Sequence, residues 1–254
     1  MEDLEHVRSA LGAVMSGAEG GLSAADRLCL ACVELLEVDG AAISLMHAGT
    51  TWGTFGSSGE LSRRLDELQF TFGEGPCLDA VRHGGPVLVV DLEDPSEQRW
   101  PAYREAVLGS GVRAVFALPV DVSGCHVGAL DLFRKRKGPL SDTALAGGLL
   151  AAELAALPLL NLMTSDVDGF GAQPEGGGWE QLASLARAEV HQATGMIMEA
   201  RNASSTEALV RLRAYAFAQG LTASEVAWEV IERRLLLGTD DSRHGLGEPT
   251  GPFR

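Results

Sequence analysis

The stretch from Glu189 to Leu237 constrains the fold most, because it contains no proline and its apolar residues recur at helical spacing. Spacings of three and four residues place side chains on one face of a helix. Three such runs follow one another: Val190, Ala193, Ile197 and Met198; Leu209, Leu212 and Ala216; Val226, Val230 and Ile231. The stretch therefore predicts three short helices around a shared core, and a core this small needs bracing by a neighbouring element.

The breaks between these helices carry capping residues. Asn202 ends the first helix, and Ser204 or Ser205 can accept a hydrogen bond from the free N–H groups of the second. Gly220 closes the second helix, and Thr222 caps the third. The capping pattern thus supports the same three helices as the apolar spacing.

Three strings in this stretch resemble the ANTAR domain: VHQATGMIM, EALVRLRAYAFAQG and SEVAWEVIERRL. The ANTAR domain is a three-helix module that binds RNA and prevents transcription termination. Its target in the family is a pair of small stem-loops with six-base loops. The resemblance therefore implies RNA as a partner, and because two loops need two bundles it also implies a homodimer.

The resemblance assigns RNA binding to the first two helices. Many members have Gln-Ala-Lys-Gly where this chain has Gln-Ala-Thr-Gly, so phosphate contacts would fall on Arg211, Arg213 and Arg201. The implied RNA-binding residues are Gln192, Ala193, Thr194, Gly195, Arg211, Arg213, Ala214, Tyr215 and Ala218.

Two features of the residues themselves fit this assignment. Arg211 and Tyr215 are one turn apart and share a helix face, and a guanidinium beside an aromatic ring suits unpaired loop bases. The alternative is that Arg211 and Arg213 are solvated and Tyr215 is core. Gly195 costs about 1 kcal/mol against alanine inside a helix, which close approach of another helix or of RNA would explain.

The part before this stretch predicts an α+β domain with one antiparallel sheet between helices. Capped, periodic or apolar runs predict its elements. The expected helices are Leu4 to Met15, Leu22 to Val38 with Ser23 as cap, Leu61 to Leu68, Trp100 to Leu108 and Ser141 to Leu160. The expected strands are a hairpin from Ala41 to Phe55, Pro86 to Asp91, and the antiparallel neighbours Ala114 to Val120 and Val127 to Phe133.

Residues 20 to 160 resemble a GAF sensor domain. The strings that carry the resemblance are AAISLMH, GEGPCLDAV, PVLVVDL, VFALPV and HVGALDLF. Followed by the ANTAR-like segment, they resemble the actinobacterial GAF–ANTAR regulators. We expect a GAF-like domain with N-terminal helices over 1–163, a glycine-rich linker over 164–178, a three-helix domain over 179–237 and a flexible tail over 238–254. We also expect the helix that begins at Trp179 to lead straight into the first of the three helices.

The GAF resemblance implies a ligand pocket over the sheet. Its expected lining residues are Trp52, Phe55, Glu74, Cys77 and Phe116, and its ligand is an unknown small molecule rather than a cofactor. Cys77 also follows a glycine-rich turn near a helix N-terminus, where a thiol pKa falls. It is therefore either a redox or covalent site, or a turn residue that packs beneath the sheet.

The remaining candidate chemistry favours a protein without catalytic or metal sites. Cys29 and Cys32 have metal-ligand spacing but lie in a periodic helix, which indicates core packing. The histidines form no His-Glu-x-x-His motif, and the serines form no nucleophile motif. One enzyme class stays open, the GAF-type reductase of free methionine sulfoxide, for which only Cys77 and Cys125 lie in pocket-like regions.

The acidic net charge at first argues against a nucleic-acid partner, but the acidic residues are unevenly distributed along the chain. The net charge is −15, but residues 1–178 hold 25 acidic and 12 basic side chains, whereas Trp179 to Leu237 hold 7 and 6. The acidity therefore belongs to the N-terminal part. The apolar run from Leu145 to Leu162 is broken by glycines, Glu153 and Pro158, which argues against a membrane span.

The sequence favours a cytoplasmic signalling regulator whose GAF-like domain receives a ligand, redox state or partner and whose bundle binds RNA. The candidate dimer seam is the N-terminal helix with Leu145, Leu149, Leu154 and Leu157. A DNA-binding helix-turn-helix is an alternative, but Trp228 and three glutamates occupy the third segment, where a recognition helix would lie. A module that acts through protein contacts alone is another. The sequence names neither the signal nor the target transcripts.

Overall fold

The computed structural model describes residues 2–16, 21–47, 50–164 and 178–237. The N-terminal elements are α1 (Glu2–Ser16), α2 (Leu22–Leu35), β1 (Gly40–His47), β2 (Thr50–Ser57), α3 (Glu60–Phe72), α4 (Pro76–His83), β3 (Val87–Val89), α5 (Pro101–Gly109), β4 (Ala114–Val122), β5 (Cys125–Arg134), α6 (Asp142–Leu154) and α7 (Ala156–Thr164). The C-terminal elements are α8 (Gly178–Ser184), α9 (Ala188–Arg201), α10 (Ser205–Gln219) and α11 (Ala223–Ile231). The order of the expected elements is confirmed, and the structure adds α4 before β3.

One antiparallel sheet, in the order β2-β1-β5-β4-β3, separates two cores. Successive side chains of a strand point to opposite faces. On β5, Leu130 and Leu132 pack with α1, α2 and α6, whereas Phe133 packs with α3 and α5. The predicted hairpin and the predicted pairing of β4 with β5 are confirmed.

Helix α3 lies between the sheet and the C-terminal bundle. Its inner residues Leu65, Asp66 and Gln69 are fully buried, and Phe70, on another side of the helix, packs into the core of the bundle. The helix ends at Gly73, which adopts the left-handed conformation that closes helices. Because this short helix touches both domains, it is a structural link between them.

The three-helix bundle forms with the predicted caps. The Ser204 hydroxyl accepts a hydrogen bond from the N–H of Glu207. Thr222 and Glu225 form a reciprocal capping box, with the Glu225 carboxylate 2.6 Å from the N of Thr222. Asn202 and Gly220 end α9 and α10 in the left-handed conformation. The bundle core contains Val190, Ala193, Ile197, Ala208, Leu212, Ala216, Ala223, Val226, Ala227 and Val230.

Two local predictions for the N-terminal part differ from the structure. Gly21, not Ser23, holds the N-cap position of α2, whereas Ser141 caps α6 as predicted. The helix predicted from Ser141 to Leu160 is divided at Ala155 into α6 and α7. Pro158 accounts for this division, because it has no N–H to donate to the carbonyl four residues earlier.

The helix predicted to begin at Trp179 does not run into the bundle. It ends at Ser184, and Arg187 then adopts a left-handed conformation with φ 47° before α9 begins. Leu182 and Leu185 pack in the GAF-side core instead. Gly53 permits this approach, because a methyl group there would lie 2.2 Å from the carbonyl oxygen of Leu185. Of the linker predicted over 164–178, residues 165–177 lie outside the described residues, as does the predicted tail over 238–254.

One span of the described chain, Asp142–Met163, is long and apolar enough to cross a membrane by length and composition. Half of its most apolar window is buried inside the protein, and the core helices of folded domains pass the same test. A single span of this kind is weak evidence. It therefore carries no argument for a membrane here.

Candidate functional site

Helix α10 presents three different sides. Its buried side, including Leu212, forms the bundle core. A second side contacts α3, where the ring of Phe217 meets that of Phe72 edge-on at 5.6 Å between centroids. A third side carries Arg211 and Tyr215, one helical turn apart. The α10 residues that sequence analysis grouped together are therefore divided among different surroundings.

Arg211, Tyr215 and Ala218 share the third side. The Arg211 side chain is 43% exposed and pairs with Glu207 of the preceding turn at 2.7 Å. Tyr215 is half-buried against the bundle core, and Ala218 beside it is exposed. A guanidinium, a partly open aromatic ring and a small residue thus form a surface on which a base can stack.

Arg213 does not belong to that surface. Its guanidinium carbon lies 4.5 Å from the ring centroid of Phe70 in α3, and its side chain is half-buried. Together with Phe72 and Phe217 it lines a cleft of about 360 Å³ between α3, α5 and α10. The expectation that Arg213 faces the same partner as Arg211 is therefore wrong in this arrangement. Ala214 is exposed but lines the same cleft.

The Gln-Ala-Thr-Gly string of α9 is divided in the same way. Gln192 and Gly195 are exposed, whereas Ala193 is fully buried and Thr194 is 9% exposed. The Thr194 hydroxyl donates to the carbonyl of Val190 at 2.6 Å. Ala193 and Thr194 therefore do not offer side chains to a partner as expected. A methyl group at Gly195 would meet no heavy atom within 4 Å, so close helix packing does not explain this glycine.

Polar contacts bind α3 to the ends of α10 and α11. Arg64 pairs with Glu225 at 2.8 Å and donates to the carbonyl of Gly220 at 3.0 Å. The Thr71 hydroxyl accepts a hydrogen bond from the N–H of Ala223 at 2.9 Å. Glu225 is also part of the capping box of α11, so Arg64 of the GAF domain contacts a residue that stabilises the start of the last helix.

Arg187 is an interdomain residue that sequence reasoning missed. Its guanidinium lies 4.2 Å from the centroid of Phe70 and donates to the carbonyl of Thr51 at 3.3 Å. Burial lowers the pKa of Arg187, and the carboxyl groups of Asp66 and Glu67 oppose that shift. The available signal was a single arginine in the break before α9, which the predicted continuous helix concealed.

The five residues expected to line a GAF ligand pocket do not come together. Phe55 and Phe116 are buried on the α1–α2–α6 side of the sheet, and Trp52 packs against the same core. Cys77 is buried on the opposite side. The Glu74 carboxylate instead accepts two N–H groups at the start of α5, at 2.7 and 3.0 Å. The grouping was wrong because the three strand residues face one side of the sheet, whereas Glu74 and Cys77 come from the α3–α4 connection and from α4 on the other side.

Cys77 has polar neighbours that the sequence did not reveal. Ligand atoms of Asp66, Cys77 and Asp131 all lie within 4.8 Å of one another, and all three residues are fully buried. Burial raises the pKa of the Cys77 thiol well above its ordinary value, and the nearby Asp131 and Asp66 raise it further. Burial and Asp66 also raise the pKa of Asp131. The expected lowering of the Cys77 pKa by a helix N-terminus is therefore wrong.

The other cysteines differ in exposure. Cys29 and Cys32 lie in the core between α2 and the sheet, as predicted, and burial raises the pKa of Cys32 to about 12. Cys125 is exposed at the first residue of β5. Cys125 is therefore separated from the buried group around Cys77.

Comparison with solved structures supports the GAF fold. The chain is similar to the GAF domain of a phosphoenolpyruvate-protein phosphotransferase from Coxiella burnetii, with TM-score 0.51, 14% identity and coverage of 65% of this chain and 98% of that chain. The corresponding Acinetobacter domain gives TM-score 0.50, 14% identity and the same coverage. A free methionine-R-sulfoxide reductase from Neisseria meningitidis gives TM-score 0.47 and 17% identity, with coverage of 61% of this chain and 89% of that chain. This level of similarity supports no inference.

Two family models match the chain. The GAF domain model matches residues 23–157, and the ANTAR domain model matches residues 181–231. Both are regulatory domains rather than catalytic ones. A search of curated proteins gave no match. Since the first match covers more than half of the chain and the second follows it directly, the chain belongs to the GAF domain family and has the organisation of a GAF–ANTAR regulator.

Proposed function

We propose that this protein is a cytoplasmic regulator whose ANTAR domain binds paired RNA stem-loops and prevents transcription termination under control of the GAF domain. The observation that carries the proposal is the division of α10. Its Arg211 and Tyr215 side is open, whereas the side that contains Phe217 contacts α3. RNA can therefore reach the open side without displacement of the GAF domain.

The open side has the chemistry that single-stranded loops need. Base stacking on an aromatic ring contributes about 1–3 kcal/mol per base. Tyr215 offers such a ring, Arg211 adds a positive charge for phosphate or a planar group for stacking, and Gly195 on α9 leaves space for a close backbone. These features favour RNA loops over a DNA duplex.

The third helix supports the same choice. A DNA-reading helix enters the major groove with base-contacting side chains on its outer face. The outer residues of α11 include Glu225 and Trp228, which is 52% exposed. Arg234, just beyond α11, pairs with Glu229 at 2.8 Å. The charge on this surface disfavours contact with duplex phosphates.

The proposed control by the GAF domain acts through α3. Asp66 and Gln69 on its inner side reach the polar group beneath the sheet, while Phe70 and Thr71 contact the bundle. A signal that shifts α3 therefore changes the support of α10 and α11. The signal is a small molecule, an ion or a protein that acts on the GAF domain.

Homodimer formation is part of the proposal, because paired loops need two bundles. An apolar stripe on α6 and α7 supplies the candidate seam, with Leu149, Leu157, Leu160 and Met163 each 38–45% exposed. Leu145 and Leu154, which we also expected in the seam, are partly buried against the core of their own chain. Assignment to the actinobacterial type stays a prediction.

Binding of matched nucleic acids across a salt series tests the RNA proposal. The probes are an RNA with two tandem hairpins, the same RNA with the loops paired into a duplex, and a DNA duplex of equal length. We expect the tandem hairpin to bind most tightly at every salt concentration. Equal or tighter binding of DNA would support the helix-turn-helix alternative. No binding of any probe would support a module that acts through protein contacts.

A further inference from the structure

Three side chains of metal-ligating type meet on the α3–α5 side of the sheet. Asp66 comes from α3, Cys77 from α4 and Asp131 from β5, with ligand atoms mutually within 4.8 Å and no solvent exposure. Two carboxyl groups and a thiol in such a dry site cannot all carry negative charge unless a cation balances them. These three side chains therefore either keep protons on some of their acidic groups or bind a cation.

Unpaired polar atoms at the same place point to a bound ligand. The hydroxyl of Tyr103 and the Oδ1 of Asp131 are buried and have no hydrogen-bond partner among the described residues. Asp131, Cys77 and Asp66 act electrostatically on the Tyr103 hydroxyl, so this hydroxyl lies near the group. Buried polar atoms without partners are rare in folded proteins, and each such atom needs an explanation.

Each of the three candidate ligands is held by a neighbouring polar group. Thr54 donates to Asp66 at 2.5 Å, and Ser44 donates to its other carboxylate oxygen. The Gln69 amide donates to Asp131 at 2.5 Å and accepts the N–H of Cys77 at 2.9 Å. Partners of this kind orient the ligands in known metal sites and raise their affinity.

The turn before Cys77 is shaped to admit the Gln69 side chain. Gly75 has φ 149°, and a methyl group there would lie 2.3 Å from the Oε1 of Gln69. Any larger residue would therefore push away the amide that connects two of the ligands. Glycine at this position keeps Asp131 and Cys77 in fixed relation.

We propose that Asp66, Cys77 and Asp131 bind one divalent transition-metal ion beneath the sheet. A thiolate with two carboxylates suits borderline ions such as zinc, ferrous iron and cobalt better than magnesium or calcium. Binding requires Cys77 as a thiolate and both carboxyl groups in ionised form, and the protons that these groups release pass to solvent. Three anionic ligands and a divalent ion leave one negative charge, which the nearby Arg187 guanidinium offsets.

The geometry needs only a small contraction. Metal–oxygen and metal–sulfur bonds of about 2.0–2.3 Å place the ligand atoms of a four-coordinate site roughly 3.5 Å apart. The present upper limit of 4.8 Å is therefore close to a bound arrangement. Three protein ligands also leave a fourth position, and the Tyr103 hydroxyl lies near the group to hydrogen-bond a ligand there.

The metal content of the untagged full chain tests this proposal. The chain is produced in minimal medium that contains cobalt or zinc, and bound metal is measured by plasma mass spectrometry. Cobalt also reports the thiolate directly, through a sulfur-to-cobalt charge-transfer absorption band. We expect one ion per chain and such a band in the cobalt form.

Three substitutions and one matched control assign the ligands. We expect Cys77→Ser to remove the band, and Asp66→Asn or Asp131→Asn to reduce the affinity for cobalt by roughly tenfold or more. Cys125→Ser, which alters the exposed cysteine, should leave the metal content and the band unchanged. Far-ultraviolet circular dichroism establishes that each variant is folded, and Gln69→Leu replaces any ligand variant that does not fold, with an expected loss of about tenfold.

The proposal is overturned by a metal-free full chain after growth in both metals. It is equally overturned if bound metal is unchanged by all folded ligand variants, which would mean an adventitious ion only, or if the band disappears in Cys125→Ser. None of these outcomes depends on RNA binding, so failure of the metal site leaves the proposed regulator intact.

Discussion

The guanidinium of Arg213 in α10 lies over the ring of Phe70 in α3, 4.5 Å from its centroid. Arg187 lies over the same ring at 4.2 Å. Two arginines of the C-terminal part therefore contact one aromatic residue of the GAF domain. Arg213, which was expected to contact RNA, therefore forms a contact between the two domains.

Substitution of Arg213 should affect stability more than RNA binding. Arg213→Met retains the aliphatic stem and removes the cation, so we expect the free energy of unfolding to fall by about 0.5–2 kcal/mol. RNA affinity should change by less than about threefold, roughly 0.6 kcal/mol. Chemical denaturation and hairpin titration measure the two effects. A large loss of RNA affinity with unchanged stability would show that Arg213 contacts RNA after all.

Thr71 should contribute to docking through a single hydrogen bond. Thr71→Val keeps the shape of the side chain but leaves the buried N–H of Ala223 without its acceptor, so we expect a loss of about 1–3 kcal/mol in unfolding free energy. Thr206→Val, at an exposed position in the first turn of α10, is the matched control. Equal stability losses in the two variants would show that the interdomain hydrogen bond is unimportant.

Substitution of Gly195 by alanine should raise the stability of the protein and weaken RNA binding. A methyl group at this helical position meets no atom within 4 Å, so Gly195→Ala should stabilise the protein by up to about 1 kcal/mol. If RNA approaches the backbone there, the same substitution weakens hairpin binding. Gly12→Ala in α1, where a methyl group also meets no atom, should stabilise without any effect on RNA. Unchanged RNA affinity in Gly195→Ala would show that RNA does not approach the α9 backbone at this position.

Thiol labelling should distinguish the four cysteines. Cys125 is exposed, whereas Cys29, Cys32 and Cys77 have no solvent exposure. We expect a thiol reagent to modify the native chain at Cys125 first, and Cys125→Ser to react only at the rate of unfolding. Peptide mass spectrometry locates the label. Rapid labelling of Cys77 in the native chain would instead support a reactive sensor cysteine.

Helix caps, strand alternation and motif order made most of the fold predictable. The capping residues Ser141, Ser204 and Thr222 all act as expected, because capping depends on neighbours within one turn. The single long helix expected after Ser141 was less accurate, because Pro158 lacks the N–H that would continue it. Local chemistry was thus the most reliable guide.

The candidate sites were harder to predict, because they depend on which elements meet. Asp131 is an acidic residue between the apolar residues of β5, and it is fully buried. An acid at such a position in the sequence indicates a polar site inside the protein. The meeting of Asp131 with Asp66 requires the sheet to pack against α3, which no local pattern reveals. The role of Arg213 likewise depends on docking between domains, which the resemblance to the ANTAR domain did not reveal.

The most direct test of the central claim measures tandem-hairpin binding by Arg211→Ala and Tyr215→Ala. Arg82→Ala, which alters a 61% exposed, ion-paired arginine on α4, is the control. We predict that Tyr215→Ala lowers affinity by about 5- to 150-fold through lost stacking, and that Arg211→Ala lowers affinity and the salt dependence of binding. Arg82→Ala should bind like the original chain. Unchanged affinity in both folded α10 variants, or an equal loss in Arg82→Ala, would contradict an RNA-binding surface on α10.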